Sequence, residues 1–269
     1  MKLEATTTQS HCIKQFFSSL KEQTSETELD CHPEGIRIVS IDTSHIVCVH
    51  ADLNASGFEY FKCDEAFSIG IDVMAVNRIL KHTVSGDILT IFVDSDENDD
   101  CSGDRFGIKI QNNQKAEDCV FHLDAIDTNV DKFSPEEPNY PVRLTMPSAD
   151  LQSIIGRLKN TGGEVLQLIY KNDTLTFRAK GDVARATLNR RKPDNDVASG
   201  TTSKKDTTND IITVYLGINK VSEFTKCTNL SNFVTIDLRN DDPVFFEYQI
   251  GSLGKIRLGL SQRAAPENW

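Results

Sequence analysis

The sequence predicts an α+β fold of two similar domains, each made of antiparallel sheet, with four short helices in all. Three observations lead there. Short apolar or alternating runs recur along the chain, at 35–41 (GIRIVSI), 45–53, 67–73 and 87–94, then at 142–146, 164–170, 174–179, 233–238, 244–250 and 255–260. Helical periodicity is confined to stretches near 10–22, 73–82, 149–160 and 217–227, and strands and helices do not alternate regularly. An internal repeat relates the two halves.

The repeat sets the domain limits. FFSSLKEQTSETELDCHPEGIRI (16–38) resembles IIGRLKNTGGEVLQLIYKNDTLTF (154–177), each reading as an amphipathic helix followed by strand, turn and strand. ILKHTVSGDILTI (79–91) resembles FTKCTNLSNFVTI (224–236), matching Lys81 to Lys226, Thr83 to Thr228 and Thr90-Ile91 to Thr235-Ile236. The acidic stretch AIDTNVDKFSPEEPNY holds Pro135 and Pro138, which stiffen a chain and cannot donate to a ladder. The expected division is therefore 1–124, a connector at 125–140, and 141–269. The polar stretch RRKPDNDVASGTTSKKDTTND (190–210) reads as an excursion between two strands.

Composition narrows the function. The chain carries 29 basic and 40 acidic side chains, a net charge of −11, so it is not a protein that coats nucleic acid with its whole outer surface. Cations gathered on one face remain compatible with that total. No apolar run approaches the roughly 20 residues of a membrane span, and the opening MKLEATTTQS lacks a signal-peptide core. The seven cysteines form no CxxC pair, and several sit among apolar neighbours as small hydrophobes. HExxH, GxSxG, P-loop and GxGxxG patterns are absent, so neither an enzyme nor a cofactor or metal is expected. DSDENDDCSGDR (94–105) offers Asp94, Asp96 and Asn98 at calcium-loop spacing. Its sixth position is Asp99 and its twelfth Arg105, so an acidic hairpin turn is the reading. RRK (190–192) and KK (204–205) have the spacing of a bipartite import signal, or equally of solvated loop charge.

The helices carry the positive signal. At 100° per residue, Ile13, Phe16, Phe17 and Leu20 form one stripe, with Lys14 and Lys21 opposite. Val73, Val76, Ile79 and Leu80 form the second stripe, with Arg78 and Lys81 pointing away. Leu151, Ile154, Ile155 and Leu158 form the third, with Lys159 outward, beside Gln152 and Gly156. Ile218, Val221 and Phe224 form the fourth, leaving Lys226 and Asn219 exposed.

The segment IDTSHIVCVHADLNASGFEYFKCDEAFSIGIDVMAVNRILKHTVSGDILTI (41–91), the MPS at 146–148 and DDPVFFEYQIGSLGKIRLGL (241–260) resemble the proliferating cell nuclear antigen family of eukaryotic-type DNA sliding clamps. The resemblance runs over nearly the whole chain. It implies the DNA clamp fold: a homotrimeric ring with sheets outside and helices lining a central hole around duplex DNA. It implies no catalysis and no cofactor, but a role in tethering polymerases and other clamp-binding-peptide proteins after an ATP-dependent loader opens the ring. By resemblance, Lys14, Lys21, Arg78, Lys81 and Lys226 face DNA, with Lys159, Arg157 and Lys220 making up for Ser153, Gly156 and Asn219, where the family has arginines or another cation. Glu223 adds a negative charge there. The client-peptide groove would involve Ile41, His45, Ile46, Phe133, Pro243 and Leu260, with Gly259 replacing a usual aromatic and Gln262 a usual proline. Subunits would join through 115–123 and 182–190, bringing Cys119 and Phe121 to Val183, Arg185 and Thr187 of a neighbour. Lys171 resembles the family's modified lysine. The nucleus is the implied compartment, or a viral replication compartment for a virus-encoded chain. A monomeric or dimeric viral processivity factor, or a checkpoint-clamp subunit, shares the fold and is told apart by mass. A metal-dependent nuclease using Asp96 or Asp100 is the rival of another class, and no carboxylate cluster at a helix or strand end supports it.

Overall fold

A computed structural model describes residues 1–42, 44–95, 104–112, 114–128, 140–191 and 211–266. The chain falls into two compact units: 1–43, 48–134 and 249–256 in the first, 44–47, 135–248 and 257–269 in the second. Asp96, Asn98, Asp99, Asp100 and Phe133 lie outside the described residues, as do most of the connector and the 192–210 loop.

The first unit runs β1 (Leu3–Thr7), α1 (Ser10–Leu20), β2 (Glu26–His32), β3 (Gly35–Ile41), β4 (Val47–Asn54), β5 (Tyr60–Cys63), β6 (Phe67–Asp72), α2 (Val73–Leu80), β7 (Ile88–Ser95), β8 (Asp104–Asn112) and β9 (Glu117–Asp124). Its strands pair in the orders β5-β1-β7-β8-β9 and β4-β3-β2-β6, antiparallel at every assigned pairing. The second runs β10 (Val142–Pro147), α3 (Ser148–Lys159), β11 (Val165–Lys171), β12 (Thr174–Lys180), β13 (Arg185–Arg191), β14 (Ile212–Gly217), α4 (Ile218–Phe224), a 3-10 turn (Thr225–Asn229), β15 (Phe233–Leu238), β16 (Val244–Ile250) and β17 (Gly254–Leu260). Its orders are β10-β15-β16-β17 and β13-β12-β11-β14. With β5 set aside, the two sequences of elements coincide, and each sheet of one unit has its counterpart in the other. The repeat therefore extends well beyond the segments in which residues still match.

Each unit buries its helices' apolar stripes on its own sheets. Ile13, Phe16, Phe17 and Leu20 are buried on α1, and Leu151, Ile154, Ile155 and Leu158 on α3. Each such side chain contributes about 1.5–3 kcal/mol. Val73, Val76 and Leu80 are buried on α2, while Ile79 is only half-buried. Asp72 caps α2, its carboxylate accepting from Ala75 N at 2.9 Å. The fourth helix ends at Phe224, earlier than the sequence predicts, and continues as the 3-10 turn that carries Lys226. The strand predicted at 45–53 begins at Val47, because His45 adopts φ +54° in a turn. Four strands were not anticipated: β1, β5, β8 and β14.

Candidate nucleic-acid interface

In the first unit α1 packs against α2, and in the second α3 packs against α4 and the 3-10 turn that follows it. The cations expected on these helices differ in what their ends touch. Arg78, in the last turn of α2, and Lys81, just after it, are both exposed. No described side chain pairs with the Arg78 guanidinium or the Lys81 ammonium. Lys21, at the C-terminal cap of α1, is half-buried. Lys14 turns its ammonium onto backbone, donating to Lys81 O at 2.7 Å and Thr83 O at 2.8 Å.

The second pair of helices is electrically more balanced. Arg157 and Lys159 are exposed in the last turn of α3, where cations suit the helix dipole, and Asp150 occupies the first turn. Lys159 Nζ donates to Ser222 Oγ at 3.3 Å. Lys220 pairs with Glu223 at 3.1 Å, so Glu223 offsets the charge that Lys220 brings. Lys226 is exposed on the 3-10 turn. Ser153 and Gly156 are exposed on the same helix as Arg157. A Cβ placed at Gly156 meets no atom within 4 Å. Gly156→Ala therefore gains helix propensity without a clash, and its denaturation midpoint should rise by about 1 kcal/mol of stability with the m-value unchanged.

The residues expected in a peptide groove are variously exposed. His45, Ile46 and Pro243 are exposed, Ile41 is half-buried at the end of β3, and Leu260 is buried. Ser261 N donates to Ile46 O at 2.9 Å, tying the turn at 44–46 to the end of β17. Sequence reading missed a neighbouring cluster in the second unit. The Phe245 ring lies so close to Gly259 that a Cβ there would sit 2.7 Å from Phe245 Cε1, so only glycine leaves room for the ring. Tyr140 meets Phe245 edge-on at 5.8 Å, and its hydroxyl donates to Pro243 O at 2.9 Å. Burial pushes the Tyr140 hydroxyl up to about 12. The available signal was Gly259 itself, a glycine inside an otherwise regular strand.

The two outer strands expected to join subunits are open edges with opposite charge. β9 ends its sheet and carries Glu117, Asp118 and Asp124, with Cys119 and Phe121 exposed between them. β13 ends its sheet and carries Arg185, Arg190 and Arg191, with Thr187 exposed and Val183 fully out in the preceding turn. Arg190 pairs with Asp150 at 2.7 Å. Lys171, at the end of β11, is exposed. Among the described residues no cluster of His, Cys, Asp or Glu has the geometry to hold a metal ion.

Comparison with known families accounts for both units. The N-terminal domain profile of proliferating cell nuclear antigen matches residues 2–132, and the C-terminal domain profile matches 135–263. The chain belongs to the proliferating cell nuclear antigen family. Relatives include the proliferating cell nuclear antigens of Dictyostelium discoideum, 28% identical, and of Chaetomium thermophilum, 23% identical. Each alignment covers 97% of this chain and 98% of the relative. The proliferating cell nuclear antigen family is one of non-catalytic clamps with DNA and replication proteins as partners.

Proposed function

We infer that this protein is a DNA sliding clamp, a processivity factor that encircles duplex DNA and holds polymerases and repair proteins on it. The observation that carries this reading is the match of both family domains across the two units. The physical chemistry agrees with it. Exposed Arg and Lys ends on short helices make phosphate contacts that carry no sequence information, which permits sliding. The cationic set is Lys21, Arg78, Lys81, Lys159, Lys220 and Lys226, on domains limited as 1–124 and 141–269 about the 125–140 connector; Lys14, whose ammonium is turned onto backbone carbonyls, stands apart from it.

The assembly is a homotrimer in which the acidic β9 edge of one subunit pairs with the basic β13 edge of the next. That pairing covers two open strand edges and brings Cys119 and Phe121 against Val183, Arg185 and Thr187. Client peptides occupy a groove bordered by Ile41, His45, Ile46, Phe133, Pro243 and Leu260, and the nucleus is the working compartment. The test is oligomeric mass in solution together with polymerase stimulation on a primed circular template. A mass of three chains and stimulation that requires a loader are expected. A monomer that still supports processive synthesis would overturn the ring.

A further inference from the structure

We propose that Lys14 is a positioning residue: it holds the turn that presents Lys81 and is not itself one of the phosphate contacts. The inference rests on the DNA-facing reading of α2. Lys14 is half-buried, and two of its three N–H donors are spent on the carbonyls of Lys81 and Thr83, at 2.7 and 2.8 Å. Lys81 is the C-terminal cap of α2, where backbone carbonyls lack helical partners and the dipole favours a donor or cation.

The same turn is held from other sides. Ser10, the first residue of α1, donates its hydroxyl to Val84 O at 3.3 Å. Asp87 accepts from Val84 N at 2.8 Å and from Asn112 Nδ2 at 2.6 Å. Lys14 is one of several ties that fix 81–87, while the Lys81 side chain stays exposed.

The second unit separates the donor from the charge. Gln152 occupies the fifth position of α3, as Lys14 does of α1. It donates to Thr225 O at 3.4 Å, and Thr225 is the C-terminal cap of α4. Ser148, at the first position of α3, donates to Ser231 O at 2.7 Å, as Ser10 does to Val84 O. An uncharged amide thus ties to the neighbouring helix's cap in the second unit, at the residue before Lys226, the repeat counterpart of Lys81. The task common to both positions is to donate to the neighbouring helix's cap carbonyl, and a neutral side chain suffices for it.

Glutamine at position 14 therefore keeps the tie and removes the charge. The assembled full-length protein is titrated with a short DNA duplex across a salt series, as wild type, Lys14→Gln, Lys14→Met and Arg78→Gln/Lys81→Gln. Lys14→Gln should retain the wild-type slope of log K against log salt. Lys14→Met should flatten it by about one per subunit, because Lys81 loses its posture. In parallel, hydrogen exchange at the Thr83 amide, bonded to Leu80 O at 3.1 Å, should quicken in Lys14→Met and not in Lys14→Gln. A slope that falls in Lys14→Gln by about one per subunit overturns the proposal, since Lys14 would then be a direct contact. A Lys14→Met protein that matches wild type in slope and exchange also overturns it. Should Lys14→Met fail to fold, Lys14→Gln alone decides. An unchanged slope in Arg78→Gln/Lys81→Gln would instead overturn the DNA-facing reading of α2 beneath it.

Discussion

Reversing Arg78 and Lys81 together to Glu is expected to abolish processive synthesis while leaving the fold intact. Both side chains are exposed, and no described side chain pairs with them, so folding loses little. The electrostatic effect is large, because each subunit's helix face changes by four charges and a ring multiplies that by its subunit number. Without the two cations proposed to meet phosphate, the salt slope should flatten by roughly 2 per subunit, and at low salt the reversed charges should repel the duplex outright. The measurements are retention on nicked circular DNA after loading, and the thermal midpoint. Retention at the wild-type level would remove α2 from the DNA-facing surface.

The largest expected loss of stability is at Arg257. Its side chain is 8% exposed, and the guanidinium is 3.2 Å from Asp237 and 3.6 Å from Glu247 and lies 4.7 Å over the Phe245 ring. Arg143, half in solvent, is the second cation of this network, at 2.8 Å from Glu247 and 3.6 Å from Asp237. Burial raises the Asp237 carboxyl above its ordinary value, against the pull of Arg143 and Arg257. Arg257→Met leaves two buried carboxylates facing one partly exposed arginine, and should cost about 3–5 kcal/mol. The sign with pH follows from the raised carboxyl. Protonation relieves the unpaired charge, so the deficit should shrink as pH falls through the carboxylate range and be full at neutral pH. Chemical denaturation of both proteins at neutral and acid pH checks this. An equal deficit at the two pH values would mean that lost packing on Phe245, and not charge, sets the cost.

Some of this architecture could be read from residues alone, and some could not. The helices were legible because large apolar side chains such as Ile13, Phe16, Phe17 and Leu20 recur at helical spacing. The repeat was legible where strand and helix meet, around Thr90 and Thr235. β1 was not, because in LEATT the buried positions hold a leucine, a small alanine and a threonine, a weak contrast against Glu4 and Thr6. β5 has four residues, with only Cys63 buried. β8 and β14 each follow a polar stretch that masks where the strand begins. Among site residues, the exposed ends of Arg78 and Lys81 follow from helical phase. The role of Lys14 does not, since it depends on a carbonyl 67 residues away in the sequence. The one hint was the repeat, which sets Gln152 at the corresponding position and so loosens the link between that site and charge. The Phe245–Gly259 contact was equally hidden, because it joins two strands across their face.

The opposed charges of β9 and β13 bear on inheritance. In the proposed assembly each chain is a link with two unlike ends, so it joins head to tail and stops growing only on closing upon itself. A chain damaged at one end still binds an intact neighbour through the other, and an array containing it cannot close. A variant such as Arg185→Glu would therefore act as a terminator, withdrawing healthy copies made in the same cell. The expected genetics is dominance: one altered allele of two should impair replication more than the loss of one allele altogether.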